Sequence, residues 1–127
     1  MRRIHSTGTK PEMLVRKLIH SLGYRYRLHS KQLPGKPDLV FSKRRKAIFV
    51  HGCFWHQHPG CKTCHIPKSR QEYWAPKLSR NVNRDRENQR KLREMGWNIL
   101  VIWECQLKNR QNLIGQIKAF LEDTKNS

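Results

Sequence analysis

The chain has 127 residues, a length typical of one domain that can bury a hydrophobic core without disulfide bonds. Lys and Arg number 27 against 9 Asp and Glu, so the formal net charge is +18, while 36% of the residues are hydrophobic. These values exclude a disordered basic tail. They predict one basic globular domain that spans residues 1–127. The excess of positive charge favours a polyanionic partner, and nucleic acid is the commonest such partner.

From the sequence we expect neither a membrane span nor a secretion signal. Its longest apolar runs, such as residues 99–103, are far shorter than the roughly 20 residues of a transmembrane helix. The charged residues at 1–5 are not followed by an apolar signal-peptide core. An acidic membrane surface is the alternative partner, but the basic residues are spread from Arg2 to Lys125 rather than gathered in one amphipathic helix. We therefore expect a cytoplasmic protein that binds nucleic acid.

The first half of the chain predicts one helix followed by three strands. A capping box, TKPE at residues 9–12, precedes apolar residues at helical spacing, and Gly23 ends that pattern. Residues 24–28 alternate between polar and apolar as an edge strand does. Two apolar runs, 38–41 and 47–50, are separated by a short basic turn, so the sequence predicts that they form a hairpin.

The second half predicts two helices, a strand and a final helix. The sequence SRQE at 69–72 is a second capping box, and residues 81–95 form a strongly charged helix that ends at a glycine. The apolar run 97–103 is typical of a central strand buried on both faces, with both of its tryptophans in the core. Residues 111–122 complete the order α-β-β-β-α-α-β-α, which predicts an α/β fold with a mixed sheet flanked by helices.

Four cysteines and a cluster of histidines predict a zinc site. In a chain without a secretion signal, such clustering favours a metal over disulfide bonds. Zinc takes four nitrogen or sulfur ligands in a tetrahedron. The spacing allows Cys53, His58, Cys61 and Cys105, and it equally allows an all-cysteine set in which Cys64 replaces His58. The alternative interpretation is that these are unrelated buried thiols and surface histidines.

One end of the predicted hairpin carries residues suited to phosphodiester hydrolysis. Such chemistry needs a carboxylate to hold magnesium and a group that activates water. The hairpin would bring the Asp38 carboxylate beside the Val50 carbonyl and the His51 side chain, with His56 close behind in sequence. The alternative for Asp38 is an ordinary turn or capping role, which is common for an aspartate after proline.

Several aromatic side chains occur in polar or basic surroundings. Phe54 and Trp55 lie inside a polar segment, and Trp74 lies among Arg and Lys residues. Aromatic rings beside cations can stack on bases or wedge between them, although such residues more often belong to the core. The basic run 80–93 fits a phosphate-facing surface and a merely solvated helix face equally well.

Four strings in the sequence closely resemble the very-short-patch-repair (Vsr) DNA mismatch endonucleases. They are GKPD at 35–38, FVHGCFWH at 49–56, residues 81–86 and WEC at 103–105. The resemblance covers almost the whole chain and implies a restriction-endonuclease-like fold. It also implies an enzyme that nicks the strand carrying thymine in T:G mismatches left by deamination of 5-methylcytosine, on the 5′ side of that thymine, which starts very short patch repair.

The resemblance assigns catalytic roles residue by residue. Asp38 would hold Mg²⁺ together with the backbone carbonyl of Val50, which stands where the best-known family pattern has threonine. His51 and His56 would be the active-site histidines, and Glu12 on the first helix would orient His56. An imidazole can take a proton from water once a carboxylate fixes its tautomer, so the implied roles agree with the chemistry.

The resemblance also implies DNA contacts and a structural metal. The expected DNA-contacting residues are Phe54, Trp55 and Trp74, which would insert into the duplex, and Lys77 and Asn81, which would face the mismatch. The expected ligands of a structural Zn²⁺ are Cys53, His58, Cys61 and Cys105, with Cys64 as the alternative to His58.

Two other functions are compatible with parts of this pattern. One is a non-catalytic, zinc-containing DNA-binding module, and the other is a nuclease of the same fold with another target. The joint presence of Glu12, Asp38, His51 and His56 disfavours the non-catalytic module. The sequence leads us to expect a monomer that acts on double-stranded DNA containing a T:G mismatch, with mismatch-repair proteins as further partners.

Overall fold

Among the described residues, four strands form one mixed sheet. The computed structural model describes residues 10–28, 30–56 and 70–122, and at residues 54 and 55 it describes the backbone alone. The strands are β1 (Arg27–Leu28), β2 (Leu39–Phe41), β3 (Lys46–His51) and β4 (Asn98–Trp103), and they lie in that order across the sheet. β1, β2 and β3 pair antiparallel, whereas β4 runs parallel to β3. The predicted hairpin is therefore confirmed as β2 and β3.

In the described residues four α-helices accompany the sheet: α1 (Lys10–Ser21), α2 (Cys53–His56), α3 (Gln71–Glu94) and α4 (Arg110–Glu122). Short 3₁₀ turns cover Ser42–Arg44 and Glu104–Lys108. Gly23 follows α1 with φ of 92° and Gly96 follows α3 with φ of 90°. At both glycines the next residue's N–H reaches back five positions to a helix carbonyl, as in a Schellman cap. These two helix ends were predicted from the glycines.

One face of the sheet is covered by α1 and α4. β2 and β3 alternate their side chains between the two faces, as a pleated strand requires. On this face the buried residues form a continuous apolar core. Its members come from α1, three strands and α4: Val15, Ile19, Leu39, Phe41, Ile48, Ile102, Leu113, Ile117 and Leu121. This core holds two helices against the strands that carry the candidate site.

The other face of the sheet is covered by α3. The core there is smaller and consists of Val40, Ala47, Phe49, Leu92 and Trp97. The helix has 24 residues, of which Leu78 and Leu92 are buried. Their spacing of 14 residues is close to four helical turns, so both lie on the face that meets the sheet. α3 thus presents a narrow apolar stripe, and most of its surface is polar.

The prediction of two separate helices between 69 and 95 is wrong. The chain forms the single helix α3, which continues through Pro76 and begins after Arg70. Proline lacks the N–H that would bond to the Glu72 carbonyl four residues back, so the helix loses one hydrogen bond there and continues through the proline. The other α-helix between β3 and β4 is instead the short α2, directly after β3. The capping residues Thr9 and Ser69 lie outside the described residues.

The prediction of a central strand at 97–103, buried on both faces, is also wrong. β4 lies at the end of the sheet order, and among its residues Ile102 is fully buried while the others are partly exposed. Trp97 belongs to the core as predicted, with 8% of its surface exposed. Trp103 is half-buried and its ring lies against His51, so it borders the candidate site rather than the core. In the described part of the chain no helix is long and apolar enough to cross a membrane.

Candidate active site

The carboxyl end of β3 brings Asp38 and Val50 together. Asp38 lies immediately before β2, and its Oδ2 accepts a hydrogen bond from the Val50 N–H at 2.7 Å. The N–H and the C=O of one strand residue point toward the same neighbouring strand. The Val50 carbonyl therefore lies on the same side of β3 as the Asp38 carboxylate. The structure thus places the Asp38 carboxylate beside the Val50 backbone, and the role of these two groups as metal ligands stays a prediction.

His51 and His56 form a stacked pair at the same end of β3. Their ring centroids are 3.8 Å apart and their planes differ by 7°. α2 brings this about, because the chain turns into a helix right after the strand and the His56 N–H bonds to the Gly52 carbonyl at 3.2 Å. His51 is 5% exposed. The rings of His51 and Trp103 meet edge to face, with their centroids 5.2 Å apart.

The buried His51 is held uncharged at neutral pH. Burial lowers its pKa from the ordinary value of 6.5 to about 4, since the imidazolium would lose its hydration. The neighbouring His56 also lowers this pKa, and Asp85 opposes the shift. His51 Nδ1 is buried and has no hydrogen-bond partner among the described residues. Unpaired buried nitrogens are uncommon in proteins and often occur at functional sites.

His56 is paired with Asp85, which lies on α3. His56 Nδ1 and Asp85 Oδ2 are 2.5 Å apart. A carboxylate in this position accepts the Nδ1 proton, fixes the ring orientation and leaves Nε2 as the basic nitrogen. The sequence pattern did not single out Asp85. The available signal was an acidic residue within the otherwise basic run 80–93, in a segment that also carries the family resemblance.

Glu12 is buried on α1 and pairs with Arg16. It is 2% exposed, and Arg16 Nε donates to its Oε2 at 3.0 Å, with a second contact from the same guanidinium. Its burial exceeds what a simple helix-capping role requires. The carboxylate that the structure places on His56 is Asp85, so the orienting role expected for Glu12 stays a prediction.

Two groups of side chains at this end of the sheet have donors suited to a metal ion. One is Asp38 with the Val50 carbonyl, an all-oxygen pair of the kind that Mg²⁺ prefers. The other is His51, His56 and Asp85, whose ligand atoms lie within 4.8 Å of one another. Imidazole nitrogens suit softer transition metals better than magnesium. The oxygen pair is therefore the better fit to magnesium, and the histidine group fits proton transfer.

The two described cysteines lie next to the site. Parallel pairing places His51 opposite Trp103, and Cys53 and Cys105 each follow two residues later. The two thiols therefore belong to the same end of the sheet. Cys53 is buried and Cys105 is half-buried, and both are outside any disulfide in the described part of the chain. The other expected zinc ligands, His58 and Cys61 with the alternative Cys64, lie outside the described residues.

The expected DNA-contacting residues of α3 share a face with Asp85. Lys77, Asn81 and Asp85 follow at intervals of four residues, so they lie along one stripe of the helix. Trp74 lies one turn before Lys77 and meets the Tyr73 ring edge-on, with centroids 5.0 Å apart. The stripe leads from the candidate site along α3. The side chains of residues 54 and 55, also expected to contact DNA, lie outside the described part.

Known proteins similar to this chain give its family. The family model of the DNA mismatch endonuclease Vsr matches residues 1–63. The chain is 47% identical to the type II nicking enzyme V.XorIIP of Xanthomonas oryzae over 96% of this chain and 89% of that protein. It is 41% identical to the DNA mismatch endonuclease Vsr of Escherichia coli, over 89% of this chain and 72% of that protein.

A solved structure supports the fold independently. The catalytic domain of homing endonuclease I-Bth0305I superposes with a TM-score of 0.63 at 21% identity, covering 89% of this chain and 94% of that chain. This likeness shows the predicted restriction-endonuclease-like fold, with its mixed sheet and flanking helices. With the sequence relatives it leads to one conclusion: the chain belongs to the Vsr family of DNA endonucleases.

Proposed function

We propose that this protein is a Mg²⁺-dependent mismatch endonuclease that nicks double-stranded DNA on the 5′ side of the thymine in a T:G mismatch. The observation that carries the proposal is the joint position of two groups at the end of β3. Asp38 and Val50 present oxygen ligands there, and the His56–Asp85 pair presents a basic nitrogen. The net charge of +18 suits a DNA substrate.

In this proposal Asp38 and the Val50 carbonyl hold the magnesium ion. The fit rests on the hydrogen bond between Val50 N–H and Asp38 Oδ2, which fixes the carboxylate beside the strand end. Bound there, the ion would supply a Lewis acid for the phosphate oxygens. The valine side chain does not affect this role, because the carbonyl is a backbone group.

The two histidines have different roles in this proposal. His56 takes a proton from the attacking water through Nε2, since Nδ1 is bonded to Asp85. His51 stays neutral and, stacked on His56, fixes the plane of that ring. A base of this kind contributes roughly 10²- to 10⁴-fold to the rate.

Mismatch selection in this proposal comes from aromatic rings that enter the duplex. A T:G pair opens more easily than a matched pair, so inserting a ring turns this deformability into selectivity. Trp74, with Phe54 and Trp55, would supply the rings, and Lys77 and Asn81 would face the mismatch. What supports this is the position of Trp74, Lys77 and Asn81 along the stripe of α3 that leads to Asp85.

A structural zinc ion is proposed for the thiols beside the site. Support comes from Cys53 and Cys105, which follow paired positions of β3 and β4. With Cys61 and either His58 or Cys64 they make a four-ligand set. Measuring bound zinc in Cys53→Ser, Cys64→Ser and His58→Ala tests this. We expect loss of zinc and of thermal stability in Cys53→Ser, and in only one of the other two.

The function is tested by incubating the protein with Mg²⁺ and duplexes that carry T:G, other mismatches or none, and resolving the nicked products strand by strand. We expect one nick, 5′ of the mismatched thymine. The same assay with Trp74→Ala should lose activity on T:G by at least several-fold, since a stacked ring contributes roughly 1–3 kcal/mol. Binding without any nicking would favour the non-catalytic module, and equal nicking of matched duplexes would favour a nuclease with another target.

A further inference from the structure

The turn before Asp38 contains a lysine in a backbone conformation that disfavours it. Gly35 has φ of 78° and Lys36 has φ of 49°, so two consecutive residues are in the left-handed region. Lys36 N–H donates to the Leu33 carbonyl at 3.1 Å, and Pro34 and Gly35 occupy the two central positions of the turn. Glycine adopts such a conformation freely, whereas a lysine is strained in it.

The turn is pressed against the rest of the protein. A Cβ atom added at Gly35 would lie 3.0 Å from the Cβ of Asn88 on α3 and 3.2 Å from the ring of Phe49 on β3. The next residue after Lys36, Pro37, is fully buried. The surrounding packing therefore fixes the backbone at Lys36. Strained residues that persist in such settings are concentrated at functional sites.

Lys36 is a basic residue close in the chain to the proposed metal ligand. It precedes Asp38 by two residues, a separation of at most about 7 Å along the chain. Its side chain is exposed. Among the described residues it has no ion pair or side-chain hydrogen bond, so the ammonium is available to a ligand.

Apart from the magnesium ion proposed at Asp38, the side chains already described at the end of β3 include no lysine or arginine. They comprise the carboxylates of Asp38 and Asp85 and the imidazoles of His51 and His56. A phosphodiester is an anion, and more charge develops on its oxygens as water attacks. A cation next to Asp38 would stabilise that charge.

We propose that Lys36 binds a non-bridging oxygen of the phosphate that is cut, held in place by its strained and packed turn. This inference rests on the proposed nicking function and adds a substrate-binding residue to it. The ammonium donates a hydrogen bond to the phosphate oxygen and loses this bond when the product leaves, and no covalent bond of Lys36 forms or breaks.

Arg45 offers a matched control for the test. It is the other residue besides glycine with a positive φ in the described chain, at 57°, and it is also basic and exposed. It lies in the turn between β2 and β3, at the opposite end of β3 from His51. Five residue steps of strand separate Lys46 from His51, roughly 17 Å. Lys36→Gly and Arg45→Gly therefore each replace a basic residue of positive φ by glycine, at the two ends of one hairpin. Arg45→Gly also removes a guanidinium that lies 5.9 Å from the centroid of the Trp97 ring, so the nicking rate of the two variants is compared at a temperature where both are folded.

The experiment measures single-turnover nicking of a T:G duplex, DNA affinity against salt without magnesium, and thermal unfolding. We expect Lys36→Gly to slow nicking at least tenfold and to lower the salt slope by about 0.9, the value for one phosphate contact. Its melting temperature should not fall, because glycine relieves the left-handed strain. Lys36→Arg should stay within a few-fold of the wild-type rate, and Arg45→Gly should match the wild type.

Two results would overturn the proposal. One is a nicking rate within twofold of the wild type in Lys36→Gly, and the other is an equal loss in Arg45→Gly, which would show a general charge effect. If Lys36→Gly folds poorly, Lys36→Asn replaces it, because asparagine tolerates the left-handed region and is uncharged. Loss of nicking in Asp38→Asn with full activity in Lys36→Gly would overturn the lysine role alone. Full activity in Asp38→Asn would overturn the proposed function, and the lysine role with it.

Discussion

The two faces of the sheet differ in whether a buried polar side chain has a hydrogen-bond partner among the described residues. On the face covered by α1 and α4, the buried Lys46 donates from Nζ to the Phe120 carbonyl at 2.5 Å, near the end of α4. This contact pairs a positive charge with a carbonyl in the last turn of α4 and so stabilises the packing of that helix on the sheet. On the face covered by α3, the buried His51 has an Nδ1 atom without a partner among the described residues.

The difference follows from the alternation of β3. Ile48 and Val50 point into the apolar core on one face, while Phe49 and His51 point toward α3. The first face has two covering helices and a larger core, so it supplies most of the stability. The second has a smaller core and ends in polar groups. One six-residue strand thus separates the scaffold from the proposed chemistry.

The largest expected effect is that of Asp38→Asn. The amide keeps the shape of the side chain but lacks the charge that holds a hard dication. We expect nicking to fall by more than about 10³-fold, with DNA binding and thermal stability close to those of the wild type. Single-turnover nicking with Mg²⁺ measures the first, and duplex affinity the second. Nicking at the wild-type rate would remove Asp38 from the metal site.

A smaller loss is expected for Asp85→Asn. Asparagine can present its amide N–H₂ to His56 and so favour the wrong tautomer, which should slow nicking by about 10²- to 10³-fold.

Glu12→Gln provides the comparison for Asp85→Asn. Because His56 pairs with Asp85 and Glu12 with Arg16, the loss of nicking in Glu12→Gln should be the smaller of the two. A larger loss in Glu12→Gln would instead make Glu12 the residue that orients His56. Both variants are measured as nicking rates under conditions where their unfolding curves show a folded protein.

The pKa of His51 predicts a pH-dependent stability that sharpens the contrast between the faces. The pKa of His51 is about 4 in the folded protein and 6.5 in its ordinary surroundings. Between these values the unfolded chain binds a proton that the folded chain does not. Stability from this source is therefore fully present above pH 6.5 and is lost as the pH falls toward 4.

The expected size of this effect between pH 7 and 4.5 is about 2 to 3 kcal/mol. His51→Gln lacks the titrating group. Between pH 7 and 4.5 its free energy of unfolding should therefore fall by about 2 to 3 kcal/mol less than that of the wild type does. Urea unfolding of both proteins at the two pH values, without added magnesium, measures the difference. An identical fall in both proteins would contradict the assignment of His51 as a buried neutral group.

Local patterns predicted the hairpin, the first and last helices and the position of Asp38 beside Val50. A hairpin is close in sequence, so its turn and its alternation are enough to place both strand ends. The helix ends at Gly23 and Gly96 were equally local. The metal-binding half of the candidate site could therefore be proposed from the sequence alone.

The pairing of His56 with Asp85 could not be predicted from local patterns. The two residues are 29 positions apart, and they meet because α3 is one long helix packed across the sheet. With Leu78 and Leu92 as its buried residues, α3 shows little apolar periodicity, so the sequence suggested two shorter segments. The prediction that residues 97–103 form a central strand failed for another reason. The apolar composition of a strand does not reveal whether it lies inside a sheet or at its edge.

The most direct test compares neighbours on β3, Val50→Ala and His51→Gln, by thermal unfolding and single-turnover nicking of a T:G duplex. Val50→Ala trims a half-buried side chain that packs on the apolar core and keeps the carbonyl, so stability should fall by about 1 to 2 kcal/mol. Its nicking rate should stay near that of the wild type. His51→Gln should instead lose nicking by roughly 10²-fold or more. Equal losses of nicking in both variants, at a temperature where both are folded, would contradict the separation of scaffold and chemistry along β3.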